Sequence, residues 1–190
     1  MKKLTIILSS LLVLTAFTTL DTWKNDKPHS QLGFTVTHLG ISDVSGTFND
    51  FDVTVTSTKP DFSDAVFELT ADVSSIDTRV EARDNHLKSP DFFDAAKYPV
   101  MTFKSTSLKK IEKDNYKLTG NLTLHGITKE ITMDLSFRGI TENPMSKVKT
   151  AGFQLTGSIS RSDFNIGVAF PPPMISERVS IKADGEFVKN

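Results

Sequence analysis

Four histidines, His29, His38, His86 and His125, are the side chains of this 190-residue chain best placed to move a proton or hold a metal near neutral pH. No two of them stand at i, i+2 or i, i+4, so a metal site would have to be gathered from distant segments, and no spacing supports one. His38 falls on the apolar parity of a strand and His125 in a turn; both read as satisfied core or capping histidines. His86 lies in the charged segment Arg83-Asp84-Asn85-His86-Leu87, which interrupts the strand pattern and is expected to border a mouth. Arg83 and Asp84 could orient a polar head group, because guanidinium suits phosphate recognition, but local pairing that anchors a helix is the simpler role. Arg161 sits on an inward parity near a strand end and must find a carboxylate or an anionic ligand. Asp163, Asp84 and Asp77 are available to it, so a structural ion pair stands ahead of a head-group clamp. There is no Gly-x-Ser-x-Gly elbow and no glycine-rich phosphate loop. The lack of any cysteine excludes disulfides, thiol catalysis and thiolate metal sites. Neither enzymatic activity, nor a cofactor, nor a metal is expected.

The elements that must position these residues are strands. Apolar and polar residues alternate at period two over 31–38, 44–56, 65–73, 100–109, 115–124, 129–138, 151–161 and 178–188, which gives each strand one buried and one wet face. Parity changes within the second stretch, between Phe48 and Phe51, which predicts a bulge or bend at Asn49-Asp50. Tight turns are expected at Lys113-Asp114-Asn115, His125-Gly126-Ile127-Thr128 and Glu142-Asn143-Pro144. Eight strands joined this way predict an all-β, up-and-down antiparallel barrel of the lipocalin type with a short helical insert between strands three and four. In that insert Ser89 is expected to N-cap a short helix, with Pro90 at its first position and Asp91 in its first turn. A second long connection, 163–177, carries Pro171-Pro172-Pro173, which cannot pair in a sheet. Both long connections are expected near the mouth.

The same period could describe a barrel with lipid outside. That inversion would bury Lys117, Glu130, Asp134, Arg138, Glu68, Asp72 and Lys182 in a narrow lumen, which is very costly. Residues 1–20 read as a secretory signal, with Lys2-Lys3 ahead of an apolar run too short to span a bilayer comfortably, so residues 21–190 form the domain and a periplasmic or secreted location is expected. Losing Lys2 and Lys3 moves the formal net charge from -1 to -3, which argues against nucleic acid as a partner. No transmembrane segment is expected in the mature chain. Fourteen phenylalanines against two tyrosines and one tryptophan offer smooth apolar walls with few polar handles. At eight strands such a barrel is either filled by side chains or holds one slender ligand.

A set of short motifs then accumulates in order: Trp23, Asp26 and His29-Ser30; Phe34-x-Val36-x-His38; Gly46-Thr47-Phe48; Ser75-Ile76-Asp77-Thr78; Arg83-Asp84-x-His86-Leu87-x-Ser89-x-Asp91-Phe92-Phe93-Asp94. It continues with Tyr98-Pro99, Phe103-x-Ser105, Gly120-x-Leu122-Thr123-x-His125-Gly126-x-Thr128-Lys129 and Arg161-x-Asp163-Phe164. Taken together these resemble the YceI-like, polyisoprenoid-binding family over essentially the whole mature chain. The resemblance implies an exported lipocalin-like barrel with a long internal tunnel for an isoprenoid chain, often dimeric and without a shared catalytic mechanism. One departure stands out: Asn165 occupies the position where the family usually has glycine, and asparagine is the next-best residue for a positive-φ turn.

On this reading the tunnel is lined by Phe34, Val36, His38, Phe67, Leu69, Phe103, Leu122, Met133, Leu135, Phe153, Leu155, Arg161 and Ile181. The mouth or lid is formed by Arg83, Asp84, His86, Phe92, Phe93 and Phe164. The expected function is binding of a long isoprenoid lipid, a polyprenyl phosphate or an isoprenoid quinone, for carriage, storage or sequestration in the cell envelope, with a homodimer as a possible assembly. The alternative is an envelope stress or interaction protein whose barrel is a filled scaffold and whose loops meet a partner.

Overall fold

The computed structural model describes residues 19–190; the signal segment read at residues 1–20 lies almost wholly outside them. Ten strands, β1 (Asp21–His38), β2 (Ser42–Phe48), β3 (Phe51–Ser57), β4 (Val66–Asp72), β5 (Ile76–Asp77), β6 (Val100–Glu112), β7 (Asn115–Leu124), β8 (Ile127–Glu142), β9 (Lys149–Ser160) and β10 (Arg178–Lys189), form one antiparallel sheet. From β6 to β10 neighbours follow sequence order, β4 lies between β3 and β6, β1 lies against both β2 and β3, and β10 pairs back with β1 to close the barrel. β2 and β3 are two halves of one stave: β2 pairs with residues 32–38 of β1 and β3 with residues 21–24. The bend predicted at Asn49-Asp50 separates them. With β5 a two-residue appendage on β2, eight staves make the closed wall, as the alternation implied.

Inward residues are apolar and outward ones polar. β7 shows it most plainly: Tyr116, Leu118, Gly120, Leu122 and Leu124 face in, while Thr119 and Thr123 share hydroxyl hydrogen bonds outside with Thr132 and Thr128 of β8. Outer-face ion pairs Lys104–Glu68 and Lys117–Asp134 confirm the sense of the wall, since charge lies outside and hydrocarbon inside. No helix among the described residues is long and apolar enough to cross a membrane.

Inward glycines make room for large neighbours. A Cβ on Gly120 would lie 2.5 Å from the Phe103 ring, and one on Gly157 would lie 2.1 Å from Met133 Sδ. The two-residue turn His125-Gly126 has φ of 51° and 72°, the left-handed pair that matches strand twist in a tight hairpin. Tyr98 packs directly on Gly126, where a side chain would collide with its ring.

Two expectations need correction. β1 starts ten residues before Gln31, because Asp26-Lys27-Pro28-His29 break the alternation as a bulge: pairing with β10 jumps from Asn25↔Phe187 to Ser30↔Gly185. The insert helix α1 spans Glu81–Lys88 and ends at Ser89 instead of starting there. Ser89 N–H and Oγ both donate to the His86 carbonyl, so serine closes the helix, and Pro90 stops it. The same Oγ accepts from Asp91 N–H at 3.3 Å, so Ser89 does open a turn, but that turn is not helical.

Candidate functional site

The barrel is not filled. A cavity of about 440 Å³ runs inside it, within the usual range for small-molecule pockets. All thirteen residues read as tunnel lining, from Phe34, Val36 and His38 to Arg161 and Ile181, face this space. Its walls are mostly hydrocarbon, drawn from β1 to β4 and from β6 to β10, with Asn25, Ser30, Gln31 and Asp184 among the few polar side chains.

One end is plugged by aromatic rings. Phe62 lies 5.3 Å from Trp23, 5.2 Å from Phe137 and 5.0 Å from Phe153, and Phe153 in turn meets Phe67 and Phe187 edge-on. Edge-to-face contacts of this kind add to the burial of the rings themselves. The loop that carries Phe62 is pinned by Asp64, whose carboxylate accepts hydrogen bonds from the Ser57 and Thr58 hydroxyls and from Thr58 N–H. Burial pushes the Asp64 carboxyl upward, but these bonds together hold it down at about 2.

The opposite end is covered where the two long connections meet. Phe92 stacks on Phe170 at 5.0 Å, His86 stands edge-on to both rings, and Gly167 N–H donates to the Asp91 carbonyl. Phe93 turns inward too, edge-on to Phe48 at 5.8 Å. Gly167 has φ 59° and lies against the Phe92 ring, so no side chain fits there. Of the residues read as mouth or lid, Arg83, His86, Phe92 and Phe93 line the cavity; Asp84 and Phe164 do not. Phe164 is 1% exposed in the core, in the turn that follows β9. Asn165 has the positive φ expected of it, 55°.

The charged groups at this end have partners within the fold. Arg161, 4% exposed, donates all five guanidinium hydrogens to carbonyls of the proline loop: Nε to Ser176, one terminal nitrogen to Ile166 and Gly167, the other to Phe170 and Ile175, at 2.5–3.2 Å. None of Asp163, Asp84 or Asp77 is its partner; the carboxylate in reach is Glu177, at 4.0 Å. The Ser160 and Ser162 hydroxyls and Ser162 N–H hold the Glu177 carboxyl well below the usual range, at about 2, with Arg161 adding to the effect. Arg83 and Asp84 both bind Thr78: Arg83 Nε donates to its hydroxyl and Arg83 Nη2 to its carbonyl at 2.7 Å, while Asp84 accepts from its N–H at 2.8 Å. Local anchoring of α1, the simpler of the two roles, is therefore what the contacts describe.

The histidines divide. His125 caps as expected, bonding the Phe164 carbonyl at 2.9 Å with its ring edge-on to Tyr98. His38 is not a core residue; it is exposed at the cavity rim, where β1 ends. His86 bonds Asp91 at 3.1 Å. His29 bonds Asp26 at 2.8 Å on the outer wall, where Glu186 joins them in an exposed group that sequence spacing did not reveal.

Several lining residues were not anticipated. Phe51 and Val53 were hidden by the parity switch, and Ile166, Phe170, Met174 and Ile175 come from the proline loop, whose only signal was apolar residues among turn formers.

A family model for the YceI-like domain matches residues 23–187. Protein YceI of Salmonella arizonae is 39% identical over 180 residues, covering 94% of this chain and 93% of the relative. The crystal structure of Campylobacter jejuni YCEI protein shares 32% identity with a TM-score of 0.74, covering 81% of this chain and 90% of that one. A polyisoprenoid binding domain from Saccharophagus degradans has the same fold at 16% identity, with a TM-score of 0.68 and coverage of 90% and 100%. With its closed barrel, its internal cavity and these matches over almost the whole described length, the chain belongs to the YceI-like family.

Proposed function

We propose that this protein binds a long isoprenoid lipid, a polyprenyl phosphate or an isoprenoid quinone, in its barrel and carries, stores or sequesters it in the cell envelope after loss of residues 1–20. The observation that carries this reading is the unfilled apolar cavity of about 440 Å³. Along β1 the lining includes the stretch from Gln31 to His38, eight residues whose seven steps span about 23 Å of strand, a length that suits a slender chain. The fold neighbour from Saccharophagus degradans, a polyisoprenoid binding domain, supports the ligand class. Binding would come from burial, at about 0.8 kcal/mol per CH₂ removed from water, with bore and length setting selectivity. Nothing in the reading calls for catalysis: Arg161, Arg83, Asp84 and His86 hold loops together.

Organic extraction of the protein purified from its native envelope, followed by mass spectrometry, tests the proposal. An isoprenoid lipid at a stoichiometry approaching one is the expected result. Extracts free of such lipid, together with failure of the purified protein to take up added polyprenol, would overturn it. Fractionation and N-terminal sequencing of the processed protein test its location.

A further inference from the structure

The barrel wall has a gap. β1 pairs with β3 as far as Lys24↔Thr54 and with β2 from Leu32↔Phe48 onward, so residues 25–31 make no ladder pairs along this edge. Asn25 stands in for one rung with its side chain, accepting from Val53 N–H at 2.7 Å and donating to the Phe51 carbonyl at 3.5 Å. Outside the gap lies a recess of about 290 Å³, and Ser30, Gln31, Phe48 and Phe51 line both it and the main cavity. Interior and exterior therefore share four walls at this point. The bulge 26–29 overhangs the gap, and Lys27 ties it to the β2–β3 bend through Asp50 at 3.1 Å and Asp52 at 3.3 Å.

The polar groups here differ from those at the covered end. There, Arg161 has no donor left and Arg83, Asp84 and His86 have partners within the fold. At the gap the Gln31 amide makes no hydrogen bond among the described residues, and Ser30 Oγ reaches only the Glu186 carbonyl, at 3.5 Å. The local charge is also informative. Asp26, Asp50, Asp52, Asp184 and Glu186 stand around the gap, against Lys24, Lys27, His29 and Lys182. An excess of carboxylates repels an anion, whereas an amide and a hydroxyl at a hydrocarbon edge suit a neutral acceptor or donor.

Resting on the lipid-binding reading above, we infer that this side window holds the polar end of the bound lipid and takes an uncharged hydrogen-bonding head group, a carbonyl or hydroxyl, in preference to a phosphate. The tail then runs from the window along β1 toward Phe92 and Phe170, away from the aromatic plug.

Photocrosslinking tests the placement. One polyprenol carries a diazirine beside its hydroxyl and a second carries it at the far end of the tail; unlabelled polyprenol serves as competitor. The head-labelled probe is expected to mark peptides containing residues 25–33 and 47–53, and the tail-labelled probe the region of Phe92 and Phe170. Head-probe labelling confined to residues 161–176, with none at 25–33 or 47–53, would overturn the window while leaving lipid binding intact. If unlabelled polyprenol displaces neither label, the lipid-binding reading falls and the window falls with it. A second arm uses Gln31→Leu, which should weaken polyprenol about tenfold, the equivalent of ~1.4 kcal/mol, and leave an isoprenoid hydrocarbon without a head group unchanged. Equal affinity of parent and variant for polyprenol, or tighter binding of polyprenyl phosphate than of polyprenol by the parent, would refute the head-group assignment.

Discussion

Replacing Arg161 by lysine isolates what the guanidinium does. Arginine offers five hydrogens and lysine three, so at least two of the carbonyls of Ile166, Gly167, Phe170, Ile175 and Ser176 would lose their donor. A buried carbonyl left unpaired costs about 1–3 kcal/mol, which puts Arg161→Lys at about 2–6 kcal/mol, a large share of the 5–15 kcal/mol typical of a whole domain. Arg161→Gln retains two hydrogens and no charge, and the loop should open before the full penalty is felt. The chain has one tryptophan, Trp23, buried in the plug at the far end of the barrel, so its fluorescence in urea follows global unfolding. Hydrogen exchange at Gly167 and Phe170 follows the loop separately. The expected pattern is loss of loop protection in both variants, a lowered urea midpoint, and parallel effects on polyprenol and polyprenyl phosphate binding. A loss below about 1 kcal/mol with the loop still protected, combined with weaker binding of the phosphate alone, would show that the guanidinium faces ligand and that the carbonyl cage is incidental.

Leu122→Trp and Leu135→Trp project extra bulk into the cavity and should abolish lipid uptake with less than the roughly 1–3 kcal/mol penalty of an overpacked core, measured by urea midpoint and lipid binding on the same samples. Phe92→Ala removes a buried ring stacked on Phe170 and should cost about 3–5 kcal/mol, whereas Phe93→Ala, half-buried, should cost less by the same thermal melt. Glu177 and Asp64 have folded pKa values of about 2, below their ordinary 4.5 and 3.8. Their stabilisation is thus complete above about pH 4.5 and is lost as pH falls toward 2. Glu177 is 41% exposed, so its share is reduced by solvent screening. Melting temperatures across pH 2–5 should fall less steeply in Glu177→Gln and Asp64→Asn than in the parent.

The wall of the barrel was legible because a strand with one wet face writes its burial directly into alternate residues, as in β7 and β10. The interior was legible for the same reason. What alternation does not encode is whether inward side chains meet in the middle, since the clearance depends on glycines such as Gly120 and Gly157 that receive neighbouring side chains. The partners of Arg161 were unreadable because they are backbone carbonyls, which every residue has and no sequence advertises. Ser89 was misplaced at the helix because its hydroxyl bonds backbone in both directions, and local propensity does not separate an opening from a closing role. The wall gap was hidden because Asp26 to His29 break the period and erase the strand signal around them.

Closure through β1 and β10 has a kinetic consequence. Local pairing with β2 and β3 serves one edge of β1, but its other edge, between Trp23 and Thr35, acquires a partner only when residues 180–189 exist, so the last rungs of the wall join the two extremes of the chain. Contacts of such sequence separation make folding slow, because the loop entropy must be overcome before the contact returns anything. During synthesis from the N-terminus the barrel therefore stays open, with one edge of β1 unpaired and the apolar interior uncovered, until the final strand arrives. Under the export proposed above, this topology would supply a built-in delay during which the chain stays threadable, and truncation within β10 would leave it permanently at that stage, an edge exposed to pairing with other chains.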